Sequence, residues 1–534
     1  MLETEVVIVG AGVAGLAMAL ELRSRKIDFV LLDQGDERGA PDPGVVGPRA
    51  MELLRRWGVA GAIRGAGWPG DHPLDCAWVT RVGGHELYRL TRYTMDTRPP
   101  FRHTPEPPAI CPRHWLEPLL RDELGSHPDG PVRPRSRLEG FEPDGDGVTV
   151  TVSDAAAGPG LRVRARYLVD CDGTDARVRE NCGIAAPTRY KAQRFRDILF
   201  RAPRLRERLG ERHAALFYLM ASPAARYPLV AVDGAGLYRL SIHAAERVAR
   251  QTDAATVIGE LLAEPTPVRI VADSEWWLAP RVAERFGHER VFLVGDAAHA
   301  LAPAGGFGQD LGICDAANLG WKLAAALHGW AGPGLLASYT AERRPTALVA
   351  LTEAQRNLHR AQARTIPEEL NDDTPDGERA RRAMRAGLVV DGAAHEFDAP
   401  RIHLGFRYPD SPVVVADPSA PPDGAPRPNS RPGSRAPHAW VRPGMSTLDL
   451  FGDSFVLLRT TSTHAATDPE PWTRAFTARR VPLRVLDHTE PEVAAAYERP
   501  LVLVRPDGHV AWRGNRPAED LGRLADTVRG GRAQ

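Results

Sequence analysis

Two glycine-rich turns almost 300 residues apart constrain this chain more than any other feature. Near the N-terminus, Glu5-Val6-Val7-Ile8-Val9 reads as a buried strand, and Gly10-Ala11-Gly12-Val13-Ala14-Gly15 turns it into a helix. Gly10 permits the tight turn, Gly12 removes a side chain that would block a pyrophosphate, and Gly15 lets the helix lie close to the strand. Unpaired N–H groups and the positive end of the helix dipole then face the phosphates. A second apolar strand, Phe29-Val30-Leu31-Leu32, ends in Asp33, 18 residues past Gly15, where a carboxylate accepts from ribose hydroxyls. The other turn follows the apolar strand Val291-Phe292-Leu293-Val294. It reads Gly295-Asp296-Ala297-Ala298-His299 and runs through Pro303 to Gly305-Gly306-Phe307-Gly308, with a helix expected from about Asp315. One such turn is a weak signal. Two in this order describe a long two-part ligand held at both ends.

The chain has 534 residues, a formal net charge of zero and 43% hydrophobic residues, enough for large cores and about three domains. A neutral balance argues against nucleic-acid binding and against a polybasic membrane protein. The apolar run from Val6 to Leu20 is too short to span a bilayer and is preceded by Glu3 and Glu5 rather than by basic residues, so a soluble, cytoplasmic protein is expected. Cys76, Cys111, Cys171, Cys182 and Cys314 form no CxxC pair and no zinc spacing, so reduced thiols and no metal are expected.

Between the turns, Pro48 to Trp57 and Arg113 to Leu124 read as helices. Val148, Val150 and Val152 alternate with threonines, and Leu161, Val163, Ala165, Tyr167 and Val169 alternate with arginines, which predicts an antiparallel pair. That second strand leads into Asp170-Cys171-Asp172-Gly173. Residues 190–280 look mostly antiparallel, with Tyr238, Leu240 and Ile242 on one face. Helices cover Asp315 to about Trp330 and residues 338–365. A Pro-rich connection, Pro409 to Pro437, precedes a C-terminal α/β segment of about 100 residues that holds no cysteine and so cannot do dithiol chemistry.

Three segments together resemble the FAD-dependent aromatic hydroxylases of the para-hydroxybenzoate hydroxylase type: Gly10 to Gly15 with Asp33, the Cys171-Asp172-Gly173 turn with Arg179, and Gly295-Asp296 through Gly308. Glu342-Arg343-Arg344-Pro345 also fits. The C-terminal segment is similar to the thioredoxin-like extension of the phenol and polyketide hydroxylase branch, through Pro432 to His438, Asp449-Leu450-Phe451-Gly452 and Val504-Arg505-Pro506-Asp507-Gly508. The resemblance implies an α/β fold: a Rossmann-like FAD-binding domain, an inserted, mostly antiparallel substrate sheet, and a thioredoxin-like domain lacking CxxC. The expected boundaries are 1–185 for the first part of the FAD-binding domain (with an excursion to the substrate domain at about 75–110), 186–280 for the substrate sheet, 281–400 for the second FAD-binding part with the long helices, and 401–534 for the C-terminal domain.

The resemblance further implies a cofactor set. Gly10, Gly12, Val13, Ala14, Gly15 and Asp33 serve one end of FAD. Asp296, beside Gly295, binds the ribityl chain. A loop from Pro303 to Gly312, with Gly306, Gly308, Gln309, Asp310 and Leu311, lies along the pyrimidine edge of the ring, and Arg49, Arg113 and Asp172 complete the set. NADPH or NADH serves as a transient co-substrate without its own domain, and one atom of O2 passes through a flavin C4a-hydroperoxide to a large, polyketide-derived aromatic molecule. Monomer or homodimer is expected. Tyr218, Tyr238 and Phe307 are candidate substrate contacts, with Tyr218, Tyr238 and His243 also candidate bases, while no catalytic residue is identified. Where the family has Arg, Ser and Asn, this chain carries Asp42, Ala176 and Asp310. Those departures keep two alternatives open: Baeyer–Villiger or ring-rearranging oxidation on the same scaffold, and a flavin- or drug-binding protein without turnover.

Overall fold

The computed structural model describes residues 2–35, 41–125, 131–154, 158–174, 177–222, 225–243, 252–397, 399–418, 429–460, 468–488 and 490–531; Ala176 lies outside them. Its centre is a six-stranded sheet in the order Gly287–His288, Val291–Leu293, Tyr167–Asp170, Val6–Val9, Phe29–Leu32, Val132–Arg133. All neighbours run parallel except the first pair. The apolar strands are buried on both faces, as parallel strands must be when helices cover them. Helix Val13–Ser24 packs on this sheet with Leu16 to Leu20 and Leu22 buried.

A second sheet of seven strands takes the order Arg269–Leu278, Gln193–Arg201, Leu237–His243, Ala225–Ala231, Leu216–Ser222, Cys76–Val79, Glu86–Leu90. Only the pairing of Leu216–Ser222 with Cys76–Val79 is parallel. One face carries Ile198, Phe200, Phe217, Leu219, Tyr238, Leu240 and Ile242 into a core closed by helix Ala254–Leu261. Strand alternation sends Phe195, Asp197, Tyr218 and Arg239 to the opposite face.

The alternation expected over residues 161–169 is interrupted. Gly158–Ala165 pairs with Val148–Asp154 in a four-stranded sheet, and Tyr167–Asp170 belongs to the central parallel sheet. Arg166 is the crossing point, its N–H bound to the Glu5 carbonyl at 2.9 Å. Period-two patterning continues across such a step, so the change of sheet leaves no mark in the sequence.

The C-terminal domain is a four-stranded mixed sheet, Leu483–Asp487, Phe455–Arg459, Leu501–Val504, Val510–Gly514, flanked by helices Glu470–Thr477, Pro491–Tyr497 and Leu521–Val528, a thioredoxin-like arrangement. It is fused to the rest of the molecule by core. Trp321, on helix Phe307–Leu327, stands edge-on to Phe455 at 6.1 Å and lies in one apolar cluster with Trp472 and Phe476. Among the described residues no helix is long and apolar enough to cross a membrane.

Candidate functional site

The three glycine turns meet at the carboxyl ends of the central strands. A Cβ on Gly10, whose φ is +94°, would stand 2.6 Å from the Cys171 carbonyl oxygen, so the first turn and the Cys171-Asp172-Gly173 turn touch backbone to backbone. A Cβ on Gly15 would fall 1.8 Å from the Gly10 carbonyl oxygen. Gly295, at φ +64°, lies against Ala14: a Cβ there would come within 2.9 Å of the Ala14 Cβ. Gly312, in the second turn of helix Phe307–Leu327, faces the same methyl, at 3.2 Å from where its Cβ would be. Small residues at positions 14, 295 and 312 therefore bring two helix N-termini together. Neither helix has a side-chain cap, so first-turn N–H groups of both remain for a ligand.

Polar groups gather around this junction. A Cβ on Gly12 would lie 3.3 Å from Arg113 Nη2; Arg113 Nε donates to Glu117 Oε1 at 2.6 Å. Asp33 ends its strand with Oδ2 accepting from Arg121 Nη2 at 2.6 Å and Oδ1 from the Gly35 N–H at 3.2 Å. Asp172 Oδ1 takes a 3.4 Å bond from Gln34 Nε2. Asp296 is reachable by solvent yet ringed by protein, and that desolvation raises its carboxyl above the usual range against the pull of His299 and Arg113. Gln309 Nε2 is buried without a hydrogen-bond partner among the described residues, a donor waiting for a polar ligand. A glycine cradle, uncapped helix ends, a cation at the first turn and acceptors at each end fit a dinucleotide flavin. Among the described residues no group of three or more His, Cys, Asp or Glu could hold a metal ion.

The helix expected from Asp315 begins eight residues earlier. It spans Phe307–Leu327, with Gly306 as left-handed N-cap at φ +68°. Gly308, Gln309, Asp310 and Leu311 therefore belong to its first turns rather than to a loop. The glycines hid the start, because Gly308 weakens the helical signal while Gly306 supplies the cap conformation. The Pro303 carbonyl accepts from the Gly306 N–H at 3.0 Å and closes the entry. Asp310 turns back onto the Gly47 N–H at 3.0 Å, and burial pushes its carboxyl up to about 7.

His299 anchors the turn from behind. Its Nε2 is 2.7 Å from Asp315 Oδ2, which also accepts from the Gly295 N–H at 3.2 Å, while Arg343 Nε donates to Asp315 Oδ1 at 2.6 Å. Burial works against the Asp315 charge, and Arg343 with His299 outweighs it, holding the carboxyl below its usual range.

Two expected site residues sit elsewhere. Arg49 is buried with its guanidinium on Glu52 Oε2 at 3.0 Å and the Asp507 carbonyl at 2.8 Å, turned to the C-terminal domain instead of the glycine turns. The sequence shows a cation after a glycine but not which partner claims it. Tyr238 faces the core of the substrate sheet, its hydroxyl 2.9 Å from His213 Nε2, because period-two alternation puts it beside Leu240 and Ile242. Its neighbour Arg239 takes the facing side and pairs with Asp42. That pair answers the charge reversal at 42, since the arginine comes from the sheet instead. Phe307 is buried among Phe195, Leu278 and Phe406.

Tyr218 remains on the side of the sheet toward the glycine turns and stacks on Trp78 at 5.1 Å. Its hydroxyl donates to Glu396 Oε2 at 2.7 Å, and the Gly305 backbone lies near enough to draw the Glu396 carboxyl down. Burial raises the Glu396 carboxyl while Tyr218 opposes the rise. Glu396, on the short 3-10 helix Ala393–Phe397, carries no motif that marks it in the sequence. Phe195 and Trp276 stack at 5.0 Å on the same sheet, with strands Leu237–His243 and Ala225–Ala231 between them and Tyr218.

The FAD binding domain family matches residues 3–354, and the family described as aromatic-ring hydroxylase, C-terminal, matches 429–530. Tetracenomycin A2 monooxygenase-dioxygenase of Streptomyces glaucescens is 32% identical, covering 97% of this chain and 94% of that protein. Among solved structures, the rebeccamycin biosynthetic enzyme RebC, soaked with chromopyrrolic acid and holding 7-carboxy-K252c, is 52% identical with a TM-score of 0.94, over 99% of this chain and 100% of that one. Aklavinone-11 hydroxylase in complex with FAD and aklavinone is 28% identical, with a TM-score of 0.81 over 99% of both chains.

Proposed function

The chain belongs to the FAD-dependent aromatic-ring hydroxylases and is an FAD monooxygenase, and from that premise we propose that it uses NADPH or NADH and O2 to oxidise a large, flat polycyclic aromatic substrate. The observation that carries this reading is the tie between sheet and turn: Tyr218 and Glu396 connect the aromatic face of the substrate sheet to Gly305. When bound, FAD would supply the redox chemistry of the oxygenation. The remaining work belongs to this chain. Asp33 accepts from ribose hydroxyls, and Arg113 with the first-turn N–H groups of Val13, Ala14 and Gly15 holds the diphosphate. Asp296 and Gly295 take the ribityl chain. The N-terminus of the Phe307 helix, with Gly308, Gln309 and Leu311, stabilises negative charge on the reduced ring. Phe195, Trp276 and Tyr218 give the substrate a flat apolar wall that keeps water out. Arg239 and Glu396 supply its polar ends.

Stopped-flow reduction with each nicotinamide, in the presence of chromopyrrolic acid, K252c or aklavinone, tests this, with products read by mass spectrometry. Faster flavin reduction with one of these polycycles, and a product richer by one oxygen atom, are expected. Reduction by neither nicotinamide overturns the reading. A second outcome, oxidative rearrangement of a ring or its substituent, is favoured by the likeness to RebC, which was soaked with one compound and holds another. A product that loses its carboxyl carbon while gaining oxygen distinguishes it.

A further inference from the structure

Three C-terminal motifs and the Glu342–Pro345 segment remain to be explained, and their side chains converge on one place. Helix Pro48–Arg56 presents positions 49, 52 and 55 to the C-terminal domain. Arg49 Nη2 donates to the Asp507 carbonyl at 2.8 Å. Glu52 takes both Arg435 Nε, at 2.8 Å, and Arg435 Nη2. Arg55 Nε and Nη2 grip Asp449 at 2.8 and 3.0 Å. The other end of this helix reaches the cofactor turns, because the N–H of its N-cap, Gly47, is held by Asp310 in the first turn of helix Phe307–Leu327.

A second route runs in parallel. Arg505 lies bidentate on the buried Glu342, which also takes Lys322 Nζ at 2.8 Å and Ser411 Oγ at 2.6 Å. Burial alone would raise the Glu342 carboxyl; Arg505 and Lys322 reverse that and keep it charged. Next to it, His509 stacks on Tyr408 at 4.5 Å, and the Tyr408 hydroxyl accepts from Arg343 Nη1 at 3.0 Å. Arg343 holds Asp315, and Asp315 holds the Gly295 N–H. Every side chain on this route is buried.

We propose that the C-terminal domain is a positioning element for the flavin end of the cofactor site, acting through Glu52–Arg435 on the Gly47–Asp310 contact and through Tyr408–Arg343–Asp315 on the Gly295 turn. The proposal rests on the FAD reading above. Buried ionic chains with two ends in different domains transmit docking geometry, because breaking any link leaves an uncompensated charge. Both routes end on the second turn. Neither ends on Gly10–Gly15 or Asp33, which face the adenosine half.

That asymmetry sets the test. Two variants of the full chain are made, Tyr408→Phe, which removes only the hydroxyl under Arg343, and the double variant Glu52→Gln/Arg435→Met, which removes the cross-domain ion pair and leaves Arg49 on the Asp507 carbonyl. Dissociation constants for FAD and for ADP are measured by titration calorimetry, alongside the melting temperature of the apoprotein. A rise of about tenfold in the FAD constant with the ADP constant within twofold of wild type is expected. Equal rises for FAD and ADP, or no rise for either, overturn the proposal. If the double variant fails to fold, Tyr408→Phe decides alone. Wild-type protein that takes up ADP but no FAD refutes the parent reading instead.

Discussion

Gly295→Ala asks whether the contact between the two distant turns matters. The substitution forces a methyl group into a left-handed backbone at φ +64° and within 2.9 Å of the Ala14 Cβ. The backbone conformation costs about 1–2 kcal/mol for a residue with a Cβ. The overlap adds about 1–3 kcal/mol, because neither helix end can shift without moving its first turn. A sum of about 2–5 kcal/mol, expressed at the cofactor site, weakens FAD binding by roughly 30- to 4,000-fold. Two controls separate the terms. Gly312→Ala meets the same methyl at 3.2 Å from an ordinary helical backbone, where the gain in helix propensity, about 1 kcal/mol, offsets the crowding. Ala14→Gly combined with Gly295→Ala removes the overlap and leaves only the backbone cost, so the double-mutant cycle should show about 1–3 kcal/mol of coupling. The assay is FAD titration followed by flavin fluorescence, with apoprotein melting as the check on folding. If Gly295→Ala binds FAD as tightly as wild type, or if Ala14→Gly gives no relief, the turns do not close on one ligand as argued.

Other consequences can be measured. Asp310, held up to about 7 by burial, is mostly neutral below that pH and charged above it, so binding of the anionic cofactor should weaken as pH rises from 6 to 8; Asp310→Asn should abolish that slope. His72 and His213 lie buried with His72 Nε2 and His213 Nδ1 lacking partners among the described residues, and burial pushes them down to about 4 and about 3. Folded rings therefore stay neutral where unfolded ones take up a proton. The stability this confers is complete above pH 6.5 and is lost as pH falls toward 4, at roughly 3 kcal/mol for each ring. Urea midpoints from pH 7.5 to 4.5 should fall accordingly, and a flat profile would contradict the burial argument. Glu396→Gln should leave FAD uptake unchanged and lower turnover of an aromatic substrate by about 10- to 100-fold, as steady-state kinetics would show. Equal turnover would remove Glu396 from the substrate site.

The sequence alone determined the parts with local grammar. Gly10, Gly12 and Gly15 followed by Asp33 announce a nucleotide turn because the spacing of one strand and one helix is fixed by backbone geometry. The run Val291 to Gly295 does so again. The absence of cysteine after Cys314 settles that the C-terminal domain has no dithiol chemistry. What tertiary structure decided is which partner each polar side chain meets. Arg49 went to Asp507 and Glu52, Tyr238 turned into the core, and the helix at the second turn began at Phe307 because Gly306 could take a left-handed cap. Glu396 entered the site from a short turn with no motif, and Arg239 crossed from the substrate sheet to answer Asp42. The Arg49–Asp507, Arg239–Asp42 and Tyr218–Glu396 contacts join residues 458, 197 and 178 positions apart, each set by how whole sheets and domains pack, and no local pattern encodes such a distance.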